Sequence, residues 1–112
     1  MGCTREDGEV LIQQNFTSNL PSPFSTISFP EDNSYSEERW ELGKKLFYDN
    51  VLSIDSTLSC ASCHKSELSF SDNVSLSKGV KDRDGVRNAP SLANIGYHPY
   101  FTREGGVPTL EQ

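Results

Sequence analysis

Apolar residues are scarce in this sequence, and no stretch of them is long. They make up 34% of the 112 residues, and no run approaches the roughly 20 apolar residues of a membrane-spanning helix. Clusters of lysine and arginine are also missing, because the 10 basic residues are scattered among 16 acidic ones, for a formal net charge of -6. The sequence therefore offers no candidate transmembrane helix and argues against nucleic acid as a partner, since phosphates select basic clusters.

The low apolar content also limits the protein core. A chain of this length forms one domain, but with so little apolar material it needs help to build a stable core. A large apolar cofactor would supply that help, and partial disorder of the outer segments is the alternative. The sequence shows no internal repeat and no strand pattern.

Cys3 stands apart from the other two cysteines. Its context, Gly-Cys-Thr, resembles the end of a bacterial lipoprotein signal, in which the cysteine is lipidated and tethers the mature protein to a membrane. An incidental free thiol is the alternative. We expect a membrane-anchored lipoprotein or, without the lipid, a soluble periplasmic protein.

Residues 1–30 are predicted to form a flexible tether. Asn, Ser, Thr and Pro dominate this stretch, and the segment Pro21-Ser22-Pro23 interrupts any continuous helix. The folded domain is predicted to occupy residues 31–112.

Three helices and one long loop are predicted in this domain. The clearest helix covers residues 36–48, where apolar residues recur at helical spacing, glutamates occupy the first turn and lysines the last. A short helix, capped by Ser59, is expected to carry residues 60–64, and another covers residues 89–95, next to a proline and ending at a glycine. Residues 65–87 have no steady period and predict a long loop over a ligand or cofactor.

The segment CASCH, from Cys60 to His64, is the motif that carries chemistry. Its two thiols lie three positions apart, so on a helix they share one face and can bond both vinyl groups of a haem, while His64 supplies an axial ligand to the iron. A zinc site and a redox dithiol are the rival interpretations. They are disfavoured because His64 directly follows Cys63, His98 is the only other histidine, and no βαβ pattern surrounds the cysteines.

The ligand on the other side of the iron separates two functions. An electron-carrying cytochrome c fills that position with Met or His, and the only methionine here is Met1. His98, a tyrosine, an outside ligand or no ligand remain, and we favour a structural role for His98. An open position can bind peroxide, whereas ligation by His98 would make the domain an electron carrier with no chemistry at the iron.

Three sequence blocks resemble the bacterial dihaem cytochrome c peroxidases and the related enzyme MauG. They are ELGKKLFYD at 41–49, LSCASCH at 58–64 and RNAPSLAN at 87–94, followed by TLEQ at 109–112. The resemblance implies an all-α, cytochrome c-like domain with long loops, built around one haem. It also implies the amino-terminal, peroxidatic domain of a longer protein, in which a second haem domain passes electrons from a donor cytochrome or cupredoxin to reduce hydrogen peroxide to water.

Roles for single residues follow from the same resemblance. Gln112 matches a glutamine that assists peroxide cleavage in the family, and Asn88 matches a residue that helps hold a calcium ion between the two haem domains. Val80 stands where many members carry a histidine that caps the iron until reduction, which implies an uncapped iron under a mobile loop. Thr102 or Arg103 replaces a tryptophan that lies between the two haems, which argues against the usual electron route.

Overall fold

The computed structural model describes residues 20–109, and in that part of the chain the backbone is helical or irregular, with no regular strand. Helix α1 covers Glu37–Tyr48 and helix α2 covers Cys60–Cys63. Four short 3-10 helices accompany them, at Asn50–Leu52, Ser66–Leu68, Val80–Asp82 and Ile95–Tyr97. The mostly helical and irregular backbone agrees with the predicted class.

The chain divides into two compact units, Met1–Lys44 and Lys45–Gln112. Within residues 20–109, no helix has the length and apolar character needed to cross a membrane. Cys3 and most of the predicted tether lie outside the described residues. The tether over residues 1–30 and the domain over residues 31–112 therefore stay predictions.

Helix α1 forms almost where the sequence predicts it. Ser36 precedes its first residue, and Ser36 Oγ accepts a hydrogen bond from the Arg39 backbone N–H at 3.2 Å, which satisfies one of the free donors of the first turn. Glu37 and Glu38 occupy the first turn and Lys45 the last, as the helix dipole favours. The predicted range is confirmed, with Ser36 acting as the cap.

The described residues contain almost no buried apolar core. Ala89, with 7% of its surface exposed, is the one buried hydrophobic residue there, and no side chain is fully buried. Several large apolar side chains of the second unit are instead exposed, notably Val51, Leu52, Ile54, Leu68, Val74, Leu76 and Val86. The weak core predicted from composition is thus confirmed for residues 20–109, and it leaves apolar surface that a large cofactor could cover.

The predicted helix over residues 89–95 is wrong. Residues 89–92 have no regular secondary structure and residues 93–94 form a turn. Only the 3-10 helix at Ile95–Tyr97 follows, after Asn94 in a left-handed conformation with φ of 57°. The Ala89 carbonyl, which a helix would use internally, accepts a hydrogen bond from Ser71 Oγ at 2.8 Å. Bonds to a distant loop outweigh the local helix signals, because proline and glycine signals are compatible with either conformation.

The predicted loop over residues 65–87 is irregular but strongly hydrogen-bonded to itself. Besides two of the 3-10 helices, it contains two isolated antiparallel bridges, Lys65 with Ser71 and Lys78 with Asp84. These bonds fix the path of the loop in the structure. Its predicted mobility stays a prediction.

The second bridge closes a hairpin-like turn that carries Val80. A Cβ atom on Gly85 would lie 2.7 Å from the Ser77 carbonyl oxygen, so only glycine allows this close approach. Lys78 Nζ lies 2.7 Å from Asp84 Oδ1, and this bond to Asp84 raises the pKa of Lys78. The turn is therefore defined by both backbone and side-chain contacts.

Candidate functional site

Helix α2 is a single turn built from the CASCH motif. Ser59 is its N-cap residue, as predicted, and the Ser59 N–H donates to Ser62 Oγ at 3.0 Å. The His64 N–H donates to the Cys60 carbonyl at 2.9 Å and closes the turn. The structure therefore places both thiols and the imidazole within one helical turn, which is the local geometry that the motif predicts.

Both cysteines of the motif are free thiols. Cys60 is exposed and Cys63 is half-buried, with its Sγ 3.9 Å from the Lys78 carbonyl oxygen. The bridge between Lys65 and Ser71 directly follows the motif. The contact between Cys63 and Lys78 brings the turn of the second bridge next to the motif as well. The long loop therefore lies against the cysteines, where the sequence analysis expected it to cover a cofactor.

The imidazole of His64 is oriented by a backbone carbonyl. His64 Nδ1 lies 2.8 Å from the Phe70 carbonyl oxygen. Since a carbonyl oxygen only accepts hydrogen bonds, Nδ1 carries the proton and donates it, and Nε2 keeps a free lone pair. This arrangement prepares Nε2 to bind a metal.

Aromatic side chains pack together at Phe70, the residue that supplies this carbonyl. The rings of Phe47 and Phe70 meet edge to face with centroids 6.1 Å apart, and Tyr48 packs against Phe47 at 5.2 Å. Two thiols on one turn, an imidazole with a free Nε2 and exposed apolar side chains in the same unit fit a covalently attached haem. Among residues 20–109, no three His, Cys, Asp or Glu side chains form a metal-binding group, so the zinc interpretation gains no support.

Among residues 20–109, no hydrogen bond joins the other predicted residues to the motif. Asn88 Oδ1 accepts a hydrogen bond from Arg103 Nη2 at 2.9 Å, so the atom expected to bind calcium is engaged by a guanidinium group. Val80 is half-buried in its 3-10 helix, and His98 is exposed. Thr102 Oγ1 accepts from the Gly106 N–H at 3.3 Å and takes no part in the motif. Gln112 lies outside the described residues.

Asp72, which follows the turn after the motif, was not among the residues predicted from the sequence. It is the one buried charged residue among those described, 6% exposed, and its carboxylate accepts hydrogen bonds from the Ser77 hydroxyl and from the N–H groups of Val74 and Ala89. The Ser77 hydroxyl, followed by the two backbone donors, holds the pKa of Asp72 below its usual value of 3.8. An acidic residue inside a serine-rich loop was the available signal, but its burial depends on a segment far along the chain.

Acid should loosen this part of the fold. Because the pKa of Asp72 is lower in the folded state, its contribution to stability is complete above the usual pKa and is lost as pH falls through the folded-state value. We expect the free energy of unfolding of the haem-loaded protein to fall below about pH 4, and Asp72→Asn to be less stable at pH 7 with a weaker acid dependence. Urea unfolding at several pH values measures both, with the exposed Asp32→Asn as control; an equal acid dependence in Asp72→Asn and the unmodified protein would contradict the prediction.

Comparisons with known proteins agree with the motif. The model of the protein family described as "Di-haem cytochrome c peroxidase" matches residues 37–112. The cytochrome-c peroxidase IdrP1 of Pseudomonas sp. strain SCT is 35% identical over 91 residues, which are 81% of this chain and 24% of the relative. The methylamine utilization protein MauG of Methylorubrum extorquens is 31% identical over 86 residues, 77% of this chain and 24% of the relative.

A solved structure shows the same similarity in three dimensions. The crystal structure of a MauG-like protein associated with microbial copper homeostasis matches 83% of this chain with a TM-score of 0.77 and 42% sequence identity, and the match covers 27% of that protein. The chain thus spans about a quarter of the length of the relatives it matches.

Proposed function

This chain belongs to the di-haem cytochrome c peroxidase family, and we propose that it is the amino-terminal, peroxidatic haem domain of such an enzyme, reducing hydrogen peroxide to water. The observation that carries the proposal is the geometry of His64, whose Nδ1–H is bound to the Phe70 carbonyl at 2.8 Å and whose Nε2 is therefore free for iron. Cys60 and Cys63 would hold haem c through two thioether bonds.

Haem held by Cys60, Cys63 and His64 would supply an iron able to react with peroxide, provided that the protein leaves one coordination position open. The sequence offers that position no methionine except Met1. His98 is exposed, and its backbone N–H closes the 3-10 helix by donating to the Ile95 carbonyl at 3.0 Å. The shortage of methionine supports an open position, and we propose that His98 does not bind the iron.

Electron delivery and assistance to peroxide cleavage complete the proposed reaction. We propose that electrons reach the iron from a second haem domain, which a donor cytochrome or cupredoxin reduces, and that Gln112 assists peroxide cleavage by hydrogen bonding. We further propose a periplasmic location and a lipid anchor on Cys3, for which mass analysis of the protein from its native host is the test. An unmodified Cys3 thiol there would contradict the anchor.

A calcium ion between the two haem domains is also part of the proposal, with Asn88 as one ligand. In the structure, Asn88 Oδ1 is engaged by Arg103. Calcium bound at Asn88 Oδ1 would lie next to the positive charge of Arg103, so we expect the guanidinium group to move away when calcium binds.

The experiment that tests the function is a ferric spectrum followed by peroxide. The protein is produced in a host with c-type haem attachment machinery, and optical and electron paramagnetic resonance spectra are recorded before and after hydrogen peroxide is added. A high-spin spectrum that changes with peroxide is expected. A low-spin spectrum that does not respond to peroxide would instead indicate a second ligand, with His98 the first candidate, and an electron carrier.

A further inference from the structure

The turn that follows the haem-attachment motif has an unusual backbone. Ser69 and Phe70 are consecutive, and both have left-handed φ values, 54° and 59°. Residues with side chains rarely adopt this conformation, and it is least favourable for bulky ones. Such a turn persists only when contacts from elsewhere hold it.

This same turn presents the acceptor for His64. The Phe70 carbonyl oxygen that receives the His64 Nδ1–H belongs to the second left-handed residue. The direction of a carbonyl depends on the backbone angles of its own residue, so a small relaxation of the turn would change the length and angle of this hydrogen bond. Whatever holds the turn therefore also orients the imidazole.

Besides the backbone bonds within residues 65–71, two serine hydroxyls hold the turn, through bonds on either side of Phe70. Ser91 Oγ donates to the Ser69 carbonyl at 2.6 Å, and Ser71 Oγ donates to the Ala89 carbonyl at 2.8 Å. The two bonds run in opposite directions between segments 69–71 and 89–91. We call this pair of bonds the serine clasp.

The clasp lies in the best-packed part of the described chain. Ala89, which accepts one of its bonds, is 7% exposed, and the Ala89 N–H points to Asp72 Oδ2 at 3.4 Å. Asp72 directly follows Ser71 and is itself 6% exposed. The bond from Ser71 to Ala89 is therefore anchored to buried groups, whereas the bond from Ser91 to Ser69 lies at the surface.

We propose that Ser71 and Ser91 are positioning residues for the axial histidine, acting through the Phe70 carbonyl. The inference rests on the proposed function, because it concerns iron bound at His64 Nε2. A hydrogen bond donated by Nδ1 makes the imidazole a stronger electron donor to a metal on Nε2. The clasp thereby strengthens the bond between His64 and the iron and favours the ferric state.

The test compares variants of the haem-loaded protein. In the Ser71→Ala, Ser91→Ala double variant, the turn relaxes and the Nδ1 hydrogen bond weakens. We expect a lower iron–histidine stretching frequency in the resonance Raman spectrum of the ferrous protein and a higher midpoint potential. Ser75→Ala, an exposed serine of the same loop, is the matched control and leaves both values unchanged. Ser71→Thr as a single substitution keeps the hydroxyl, so it should have the same stretching frequency and midpoint potential as the unmodified protein.

The outcomes separate this inference from the proposed function. Unchanged stretching frequency and potential in the double variant, at normal haem content, would overturn the positioning role alone. If the double variant fails to load haem, Ser91→Ala alone decides: a shift in the same direction supports the role, and no shift overturns it. Absence of covalent haem from the unmodified protein would overturn the proposed function and this inference together.

Discussion

Covalent haem should be lost completely when Cys60 and Cys63 are both replaced by alanine. Each thiol forms one thioether bond, and the two lie on one turn of helix α2 in positions that can reach both vinyl groups. With neither thiol present, His64 alone would hold the iron, and a single ligand bond does not survive denaturation. Haem staining after denaturing electrophoresis and a pyridine haemochrome spectrum measure the loss. Each single variant should retain one bond and a haemochrome band shifted by its unreacted vinyl group.

Loss of haem should also lower the stability of the same double variant. The described residues bury one hydrophobic side chain, Ala89, and leave many large ones exposed, so little apolar burial supports the fold without a cofactor. We expect weak protection of amide hydrogens in the segment around helix α2 and no cooperative urea transition. Cys3→Ser is the control, since the proposed function assigns Cys3 no part in haem attachment. Covalent haem retained in the double variant, or lost in Cys3→Ser, would contradict the assignment.

Local sequence signals were sufficient for the elements that depend on neighbouring residues. The predicted range of helix α1 differs from the observed one only at Ser36, which caps the helix. The prediction succeeded because the cap, the acidic first turn and the apolar spacing all lie inside the segment. The Ser59 cap and the single turn of the CASCH motif are likewise fixed by adjacent residues. The poor core agrees with the low apolar content of the sequence, but the exposure of the large apolar side chains that are present could not be read from composition.

Elements that depend on distant residues could not be predicted in this way. Residues 89–95 look helical by Pro90 and by the glycine that follows them, but Ser71, 18 positions before Ala89, donates to the Ala89 carbonyl that a helix would use internally. The hydrogen-bond partner of His64 could not be predicted either, because every residue has a backbone carbonyl and the sequence does not show which one the imidazole meets. It is available only where Phe70 takes a left-handed conformation, which the sequence gives no reason to expect of an aromatic residue.

Val80→His should convert the ferric protein from high-spin to low-spin. Val80 lies in the turn that begins with Lys78. The Lys78 carbonyl oxygen is 3.9 Å from Cys63 Sγ, so residue 80 is only two positions away from a residue that contacts the haem-attachment motif. Valine offers no atom that can bind iron, whereas an imidazole there could occupy the open position. If the new ligand caps nine molecules in ten, the reaction of ferric protein with peroxide slows about tenfold, because only the uncapped fraction reacts. Stopped-flow absorbance after peroxide mixing measures the rate, and electron paramagnetic resonance measures the spin state.

Val80→Leu separates ligation from a change of loop packing. Leucine is larger than valine and cannot bind iron, so this variant should remain high-spin and react with peroxide at the unmodified rate. Reduction should also release a histidine at position 80 more readily than it releases His64, because only His64 is held by a hydrogen bond to the Phe70 carbonyl. Prior reduction should therefore restore peroxide reactivity to Val80→His and leave Val80→Leu unaffected. A high-spin Val80→His protein with full peroxide reactivity would contradict the prediction. It would show that residue 80 does not reach the open position of the iron, so the valine there would not explain the uncapped site.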